Sequence, residues 1–209
     1  MKQTTPQGLI LVISAPSGTG KTTLCKQLLA EFPELRFSVS CTTRPPRRGE
    51  RDGVDYHFIS VEEFNKRKSA GEFVEWEEIY GHFYGTSQKN IEEMIYHGYD
   101  VVLDIDTRGA HNVKGIFPDA VLVFVMPPSV ETLMERLHKR GSETDDVIRI
   151  RFEKAMEEIQ VNESYDYVIF NDIVENSVMT LRSVYIAEKN RRNRLQSRID
   201  DFYRTTGGM

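Results

Sequence analysis

The chain has 209 residues, with 27 Lys and Arg against 32 Asp and Glu, a formal net charge of −5 and two cysteines. The length supports one substantial core, and the acidic balance excludes a general nucleic-acid binder, which carries a basic surplus. No apolar run approaches the ~20 residues a membrane-spanning helix needs, and Met1–Pro6 has no apolar signal core. Cys25 and Cys41 lack the further His/Cys spacing of a zinc site and are too few for a disulfide framework. These features predict a protein of the reducing cytoplasm with neither membrane nor nucleic acid as partner.

The run Leu9–Ile13 is short and β-branched, which predicts a strand buried on both faces. It leads into Ser14-Ala15-Pro16-Ser17-Gly18-Thr19-Gly20-Lys21-Thr22-Thr23 and then into a helix over Leu24–Ala30. Strand, glycine loop and helix form the context of a P-loop, in which backbone N–H groups and the positive end of the helix receive phosphate. Lys21 would reach the β- and γ-phosphates and the Thr22 hydroxyl would ligate Mg²⁺. Ala15 stands where the pattern has its first glycine.

A strand is expected at Arg36–Ser40, followed by the proline- and glycine-marked loop Cys41–Glu50. Arginine occurs five times between Arg36 and Arg51. A solvated loop accounts for that composition; equally, Arg44 and Arg47 on a proline-stiffened segment could present two guanidinium forks to a phosphate. Further short strands are predicted at Val54–Ile59 and Phe73–Ile79 around a helix at Val61–Ser69, with Tyr80–Thr86 read as a turn and a strand end. This cluster reads as a small β-rich lobe inserted into an alternating β/α chain.

After a helix at Ser87–His97, Val101–Asp106 is predicted to be a buried strand with Asp104 and Asp106 at its carboxyl end, two apart and therefore on one side. Ligands of open α/β sheets bind outside that end, yet either aspartate could instead cap the next helix. A strand at Val121–Val125 precedes two helices, Ser129–Lys139 and Val147–Asn162, separated by the polar link Ser142–Asp146. Their arginines Arg136, Arg140, Arg149 and Arg151 fit either a closing lid or an ordinary solvated face. Tyr167–Asn171 is the last predicted strand; a helix follows from Asn176, then a basic stretch from Lys189 to Arg198 read as solvated, and a frayed tail at Thr205–Met209.

On these segments the chain resembles the guanylate kinase family over nearly its whole length. The resemblance rests on Ser-Ala-Pro-Ser-Gly-x-Gly-Lys, Ser40-x-Thr42-Thr43-Arg44-x-Pro46-Arg47 with Gly49-Glu50, Tyr84-Gly85-Thr86, Leu103-Asp104-Ile105-Asp106, Arg136-Leu137-x-x-Arg140-Gly141, and Tyr165-Asp166-Tyr167 with Asn171-Asp172. It implies a three-layer α/β P-loop fold with a central parallel sheet (8–36, 88–128 and 165–204), an inserted GMP-binding lobe (about 37–87) and a helical lid (about 129–164). It further implies phosphoryl transfer from ATP to GMP or dGMP with Mg²⁺. Arg44, Arg47, Tyr56 and Tyr84 would hold the GMP phosphate; Ser40, Glu75, Thr86 and Asp106 would surround the guanine. ATP would lie on Ala15–Thr23 and Asn171, with Asp104 holding Mg²⁺ through water beside Thr22. Lys21, Arg44, Arg136, Arg140 and Arg151 would serve the transferring phosphoryl group. Arg108 departs from the family, which often has Gln there. Two other readings use the same features: a P-loop kinase of another small phosphate ester such as a ribose bisphosphate, and a non-catalytic module binding phosphorylated peptides through the arginine lobe.

Overall fold

A computed structural model describes residues 8–79, 81–139 and 145–206. In chain order the elements are β1 (Ile10–Ser14), α1 (Lys21–Glu31), β2 (Leu35–Phe37), β3 (Cys41–Thr42), β4 (His57–Phe58), α2 (Val61–Ser69), β5 (Phe73–Ile79), β6 (His82–Ser87) and α3 (Gln88–Tyr96). There follow β7 (Asp100–Asp104), α4 (Thr107–Ile116), β8 (Val121–Met126), α5 (Val130–Lys139), α6 (Asp145–Gln160), β9 (Tyr167–Phe170), α7 (Val174–Lys189) and α8 (Gln196–Thr206).

Five strands form one parallel sheet in the order β2-β7-β1-β8-β9. The central β1 is buried along its whole length, as its unbroken apolar run predicted. Leu11 and Ile13 face α1 and α7 through Leu24, Leu28, Leu181 and Tyr185, whereas Ile10 and Val12 face α3 and α4 through Ile91, Ala110 and Val113. Each large side chain removed from water in these layers stabilises the fold by roughly 1.5–3 kcal/mol. The carboxyl ends of β1 and β7 therefore open at one edge of a rigid three-layer core.

A second sheet, β4-β3-β6-β5, contains the antiparallel β5–β6 hairpin and an antiparallel β3–β6 pair. Its own packing is aromatic: Phe64 is fully buried and stacks on Phe73 and Phe83, at 4.6 and 5.3 Å between ring centroids. Val74 of β5 packs into the core layer of α3 and α4, which ties this sheet to the parallel one. Helices α5 and α6 pack on each other through Leu133, Leu137, Ile148 and Ala155.

Several sequence expectations are corrected here. The expected strand Val54–Ile59 shrinks to His57–Phe58, because its first residues fold back in a turn: the Val54 and Asp55 N–H groups donate to the Arg51 carbonyl at 3.2 and 3.0 Å, and the Asp55 carboxylate accepts the Arg51 N–H at 2.8 Å. The turn and strand end expected at Tyr80–Thr86 hold a longer strand than read, since β6 begins at His82; Tyr80 itself lies outside the described residues. The strand β7 ends at Asp104, so Asp106 is not its same-side neighbour but the N-cap of α4. Arg149 lies on the outer face of α6, largely exposed and 3.6 Å from Glu153. The basic stretch after Lys189 is partly anchored: Lys189 Nζ lies 2.6 Å from the buried Asp100, Arg191 lies 2.7 Å from the buried Glu188, and Arg194 donates to the Asp119 carbonyl at 2.7 Å. Thr205 and Thr206 close α8 rather than fraying, and residues 207–209 lie outside the described residues.

Candidate active site

The phosphate-sized end of the site is built where β1 gives way to α1. Gly18 and Gly20 take left-handed backbone angles, φ 94° and 91°, that a residue with a Cβ rarely adopts. Gly20 is the N-cap of α1 and offers no side chain to cap it, so the positive end of the helix faces the loop. Ala15 is buried in the core layer, where its methyl is packing rather than an obstacle. Thr19 is also buried and its hydroxyl donates to the Pro16 carbonyl at 2.9 Å. Ser17 and Thr23 are exposed.

Lys21, the first residue of α1, extends across the ends of the strands. Its Nζ lies 2.6 Å from Asp104 Oδ1 and donates to the Ile105 carbonyl at 3.0 Å, while the Thr22 hydroxyl donates to Asp104 Oδ2 at 3.3 Å. A cation, a hydroxyl and a carboxylate thus meet beside the loop.

The loop is braced from behind. Asn171, just beyond β9, is buried; its side-chain amide donates to the Thr19 carbonyl at 2.5 Å. Arg136 of α5 donates to the Thr19 carbonyl at 3.4 Å and to the Asn171 carbonyl at 3.0 Å, and Arg151 of α6 donates to the Ser17 hydroxyl at 2.6 Å. Of the three described lid arginines, Arg136 and Arg151 therefore touch the P-loop and Arg149 pairs with Glu153 instead; Arg140 lies outside the described residues. A Cβ on Gly20 would lie 2.6 Å from the Asn171 amide nitrogen. The Gly20→Ala variant is expected to melt several degrees lower, in line with strain of about 1–3 kcal/mol, and to show a raised KM for ATP. Thermal melts and ATP titrations of the purified variant check this.

Across the cleft, Arg44 is 9% exposed and nearly saturated. It donates to Tyr84 Oη at 3.2 Å, to the Pro45 carbonyl at 2.8 Å and to both Glu50 oxygens at 2.9 and 3.0 Å. Its guanidinium carbon also lies 5.6 Å from the centre of the Tyr56 ring, which is edge-on to Tyr84. Glu50 additionally accepts the Arg47 N–H at 2.7 Å, so one carboxylate closes the whole arginine turn. Those hydrogen bonds, with Arg44 foremost, hold the Glu50 carboxyl below the usual range. The Arg47 side chain is exposed. Sequence reading gave Glu50 no role; the available signal was a single acid at the end of an arginine-rich turn.

A cavity of about 660 Å³ lies between these two parts, lined by Thr22, Phe37, Ser40, Glu50, Tyr56 and Asp104 among others. Ser40 is linked by hydroxyls to the lobe: its Oγ lies 3.1 Å from Thr86 Oγ1, which itself donates a short hydrogen bond to Glu75. Because the Thr86 proton is committed to Glu75, Ser40 is the donor to Thr86. Glu75 and Asp106 border an adjoining cavity of about 350 Å³ together with Glu77, Arg108, Gly109 and Asn112. Asp106 accepts the Gly109 N–H at 2.7 Å, the cap that the sequence left open. Burial pushes the Glu75 carboxyl up to about 7; the Thr86 hydrogen bond opposes this, and the Asp106 and Glu77 charges add to it. The sequence-predicted base set therefore divides between two neighbouring cavities, joined by the Ser40–Thr86–Glu75 chain.

A guanylate kinase family model matches residues 7–188. The chain belongs to the guanylate kinase family. A guanylate kinase of Symbiobacterium thermophilum is 52% identical over 89% of this chain and 88% of the relative, and one of Myxococcus xanthus is 49% identical over 91% of each. The crystal structure of guanylate kinase from Anaplasma phagocytophilum is similar with a TM-score of 0.70 and 35% identity, covering 93% of this chain and 96% of that one. The family assignment agrees with the parallel sheet and with the P-loop at its carboxyl edge.

Proposed function

We propose that this guanylate kinase family member transfers the γ-phosphoryl group of ATP to GMP, giving ADP and GDP. The observation that carries the reading is the pairing of a P-loop lysine at one cavity with two carboxylates at the neighbouring one, Glu75 of the lobe, which is bonded to the Thr86 hydroxyl, and Asp106 from the loop after β7. Guanine offers N1–H and N2–H₂ donors, which match carboxylate acceptors; adenine reverses part of that pattern and would leave buried acceptors unpaired, a mismatch that discriminates by about 10⁴ or more. A ribose bisphosphate has no use for this set, and the curated relatives are named as kinases rather than as binding modules.

In this reading ATP lies along Ala15–Thr23, with Lys21 on its outer phosphates, and Asn171 supports the loop from below. Arg44, Arg47, Tyr56 and Tyr84 receive the GMP phosphate, with exposed Arg47 supplying donors that Arg44 has already spent on Glu50. Arg136 and Arg151, already on the P-loop backbone and Ser17, neutralise charge on the transferring group, with Arg140 assigned to the same task by the resemblance alone. The acceptor is a phosphate oxygen that is ionised at neutral pH, so no general base is needed and catalysis is positioning with charge compensation.

Thr22 and Asp104 fit Mg²⁺: both present hard oxygen atoms, 3.3 Å apart, next to the loop. Among the described residues no group of three or more His, Cys, Asp or Glu could hold a metal unaided, which suits an ion that completes its shell with phosphate oxygens and water. When bound with ATP it would neutralise phosphate charge. Free, buried Cys25 and Cys41 are compatible with a cytoplasmic site of action.

Measuring ADP formation from ATP and Mg²⁺ against GMP, dGMP, AMP, CMP, UMP and ribose 1,5-bisphosphate tests the reading. Turnover confined to GMP and dGMP is expected. No turnover with GMP would end it.

A further inference from the structure

Helix α4 contains two glycines in very different surroundings. A Cβ added at Gly115 would meet nothing within 4 Å, whereas one at Gly109 would lie 3.0 Å from Glu75 Cγ, 3.3 Å from Glu75 Cβ and 3.1 Å from Asp106 Oδ1. Gly109 is buried in the third position of α4, and its N–H is the group that Asp106 caps. On helix propensity alone an alanine would be preferred at either position. Gly109 is therefore kept free of a side chain by its neighbours, and those neighbours are the two carboxylates assigned above to the guanine. They arrive from different parts of the fold, Glu75 from β5 of the second sheet and Asp106 from the loop after β7 of the parallel sheet. The N-terminus of α4 lies close against β5, and one methyl group there would press on both acids at once and displace them by a few tenths of an ångström.

We propose that Gly109 is a specificity-determining positioning residue: by having no side chain it sets the juxtaposition of Glu75 and Asp106 through which the acceptor base is selected. This rests on the reading that those carboxylates face the guanine. It concerns the acceptor alone, because no contact of Gly109 with the P-loop is involved.

The test is Gly109→Ala, with Gly115→Ala as the control in the same helix. Wild-type turnover of GMP is measured first; its absence defeats the proposed function itself, before any variant is made. With wild-type activity in hand, KM for GMP, KM for ATP, and the ratio of kcat/KM for GMP to that for inosine monophosphate, which lacks the 2-amino group, are determined for each variant. Gly109→Ala is expected to raise the KM for GMP about tenfold or more, shrink the GMP-to-inosine-monophosphate preference by a similar factor, and leave the KM for ATP within about twofold. Gly115→Ala is expected to leave all three unchanged. An unchanged KM for GMP in Gly109→Ala overturns the inference, as does a parallel rise in both KM values with a lowered Tm, which would mark a structural role only. Should Gly109→Ala not fold, the double variant carrying Glu75→Ala as well is expected to fold, since the closest contact, Glu75 Cγ at 3.0 Å, is then gone. A double variant no more stable than Gly109→Ala would also overturn it. Where both fold, adding Gly109→Ala to Glu75→Ala should change the KM for GMP by less than twofold.

Discussion

Lys21→Ala is expected to lower turnover by about 10³-fold, the scale on which the loss of a cation or donor aimed at transition-state charge is felt. The Lys21 ammonium sits at the meeting point of the P-loop, Asp104 and the Ile105 carbonyl. The folded state should suffer far less. Lys21 and Asp104 have side chains that are each 17% exposed at the mouth of a cleft, and Asp104 keeps its contact with Thr22 when the lysine is gone. A cost of about 1 kcal/mol corresponds to a fall in Tm of roughly 2–4 °C for a chain of this size. Steady-state kinetics beside a thermal melt distinguish the two effects. Substantial residual turnover would mean that Lys21 does not serve the phosphoryl group.

Glu75→Gln is expected to raise the KM for GMP roughly 10- to 100-fold, the equivalent of losing about 1.5–3 kcal/mol of hydrogen bonding to a charged acceptor, with the KM for ATP changed less than about twofold. An amide also presents an N–H₂ group where guanine presents donors of its own. If both KM values rise together, Glu75 does not read the base.

The same carboxyl carries a pH signature. Burial raises it from 4.5 to about 7, so in the free protein it changes charge near neutrality. The ionised form is the one that accepts from guanine, and the KM for GMP should therefore fall as pH rises through about 7. The GMP phosphate titrates close by, with a second pKa near ~6, so the informative quantity is the difference between wild type and Glu75→Gln, in which the carboxyl contribution vanishes. Stability runs the opposite way. The folded state holds the proton up to about pH 7 while the unfolded chain releases it near 4.5, so this stabilising contribution is full below 4.5 and is lost as pH rises through 7. Glu75→Gln should flatten that part of the Tm profile.

Local patterns in the chain were enough to locate β1, the glycine loop and α1, because an unbroken β-branched run, two glycines and a following lysine each have a local physical meaning. They also located α2 and β5 at their observed bounds. The strand predicted at Val54–Ile59 was overestimated because Val54 and Asp55 donate to the Arg51 carbonyl in a turn that the Asp55 carboxylate closes, a contact that propensity does not register. Both aspartates at the end of β7 were visible as candidates, but not their division of labour. The strand ends at Asp104 and the helix starts two residues beyond Ile105, which sends Asp104 to Lys21 and Asp106 to the α4 cap.

The sequence by itself determined that this is a phosphate-binding α/β chain and, through its ordered motifs, which family it resembles. Those signals are contiguous, and a contiguous signal survives without the fold. Only the tertiary structure decided that Glu50 takes up one end of Arg44, that Asn171 braces the P-loop from beneath, and that a methyl group at Gly109 would crowd Glu75. The first depends on how one loop folds back over six residues; the other two join residues far apart in the chain whose approach is set by strand order and by the packing of the two sheets, a distance that no local pattern encodes.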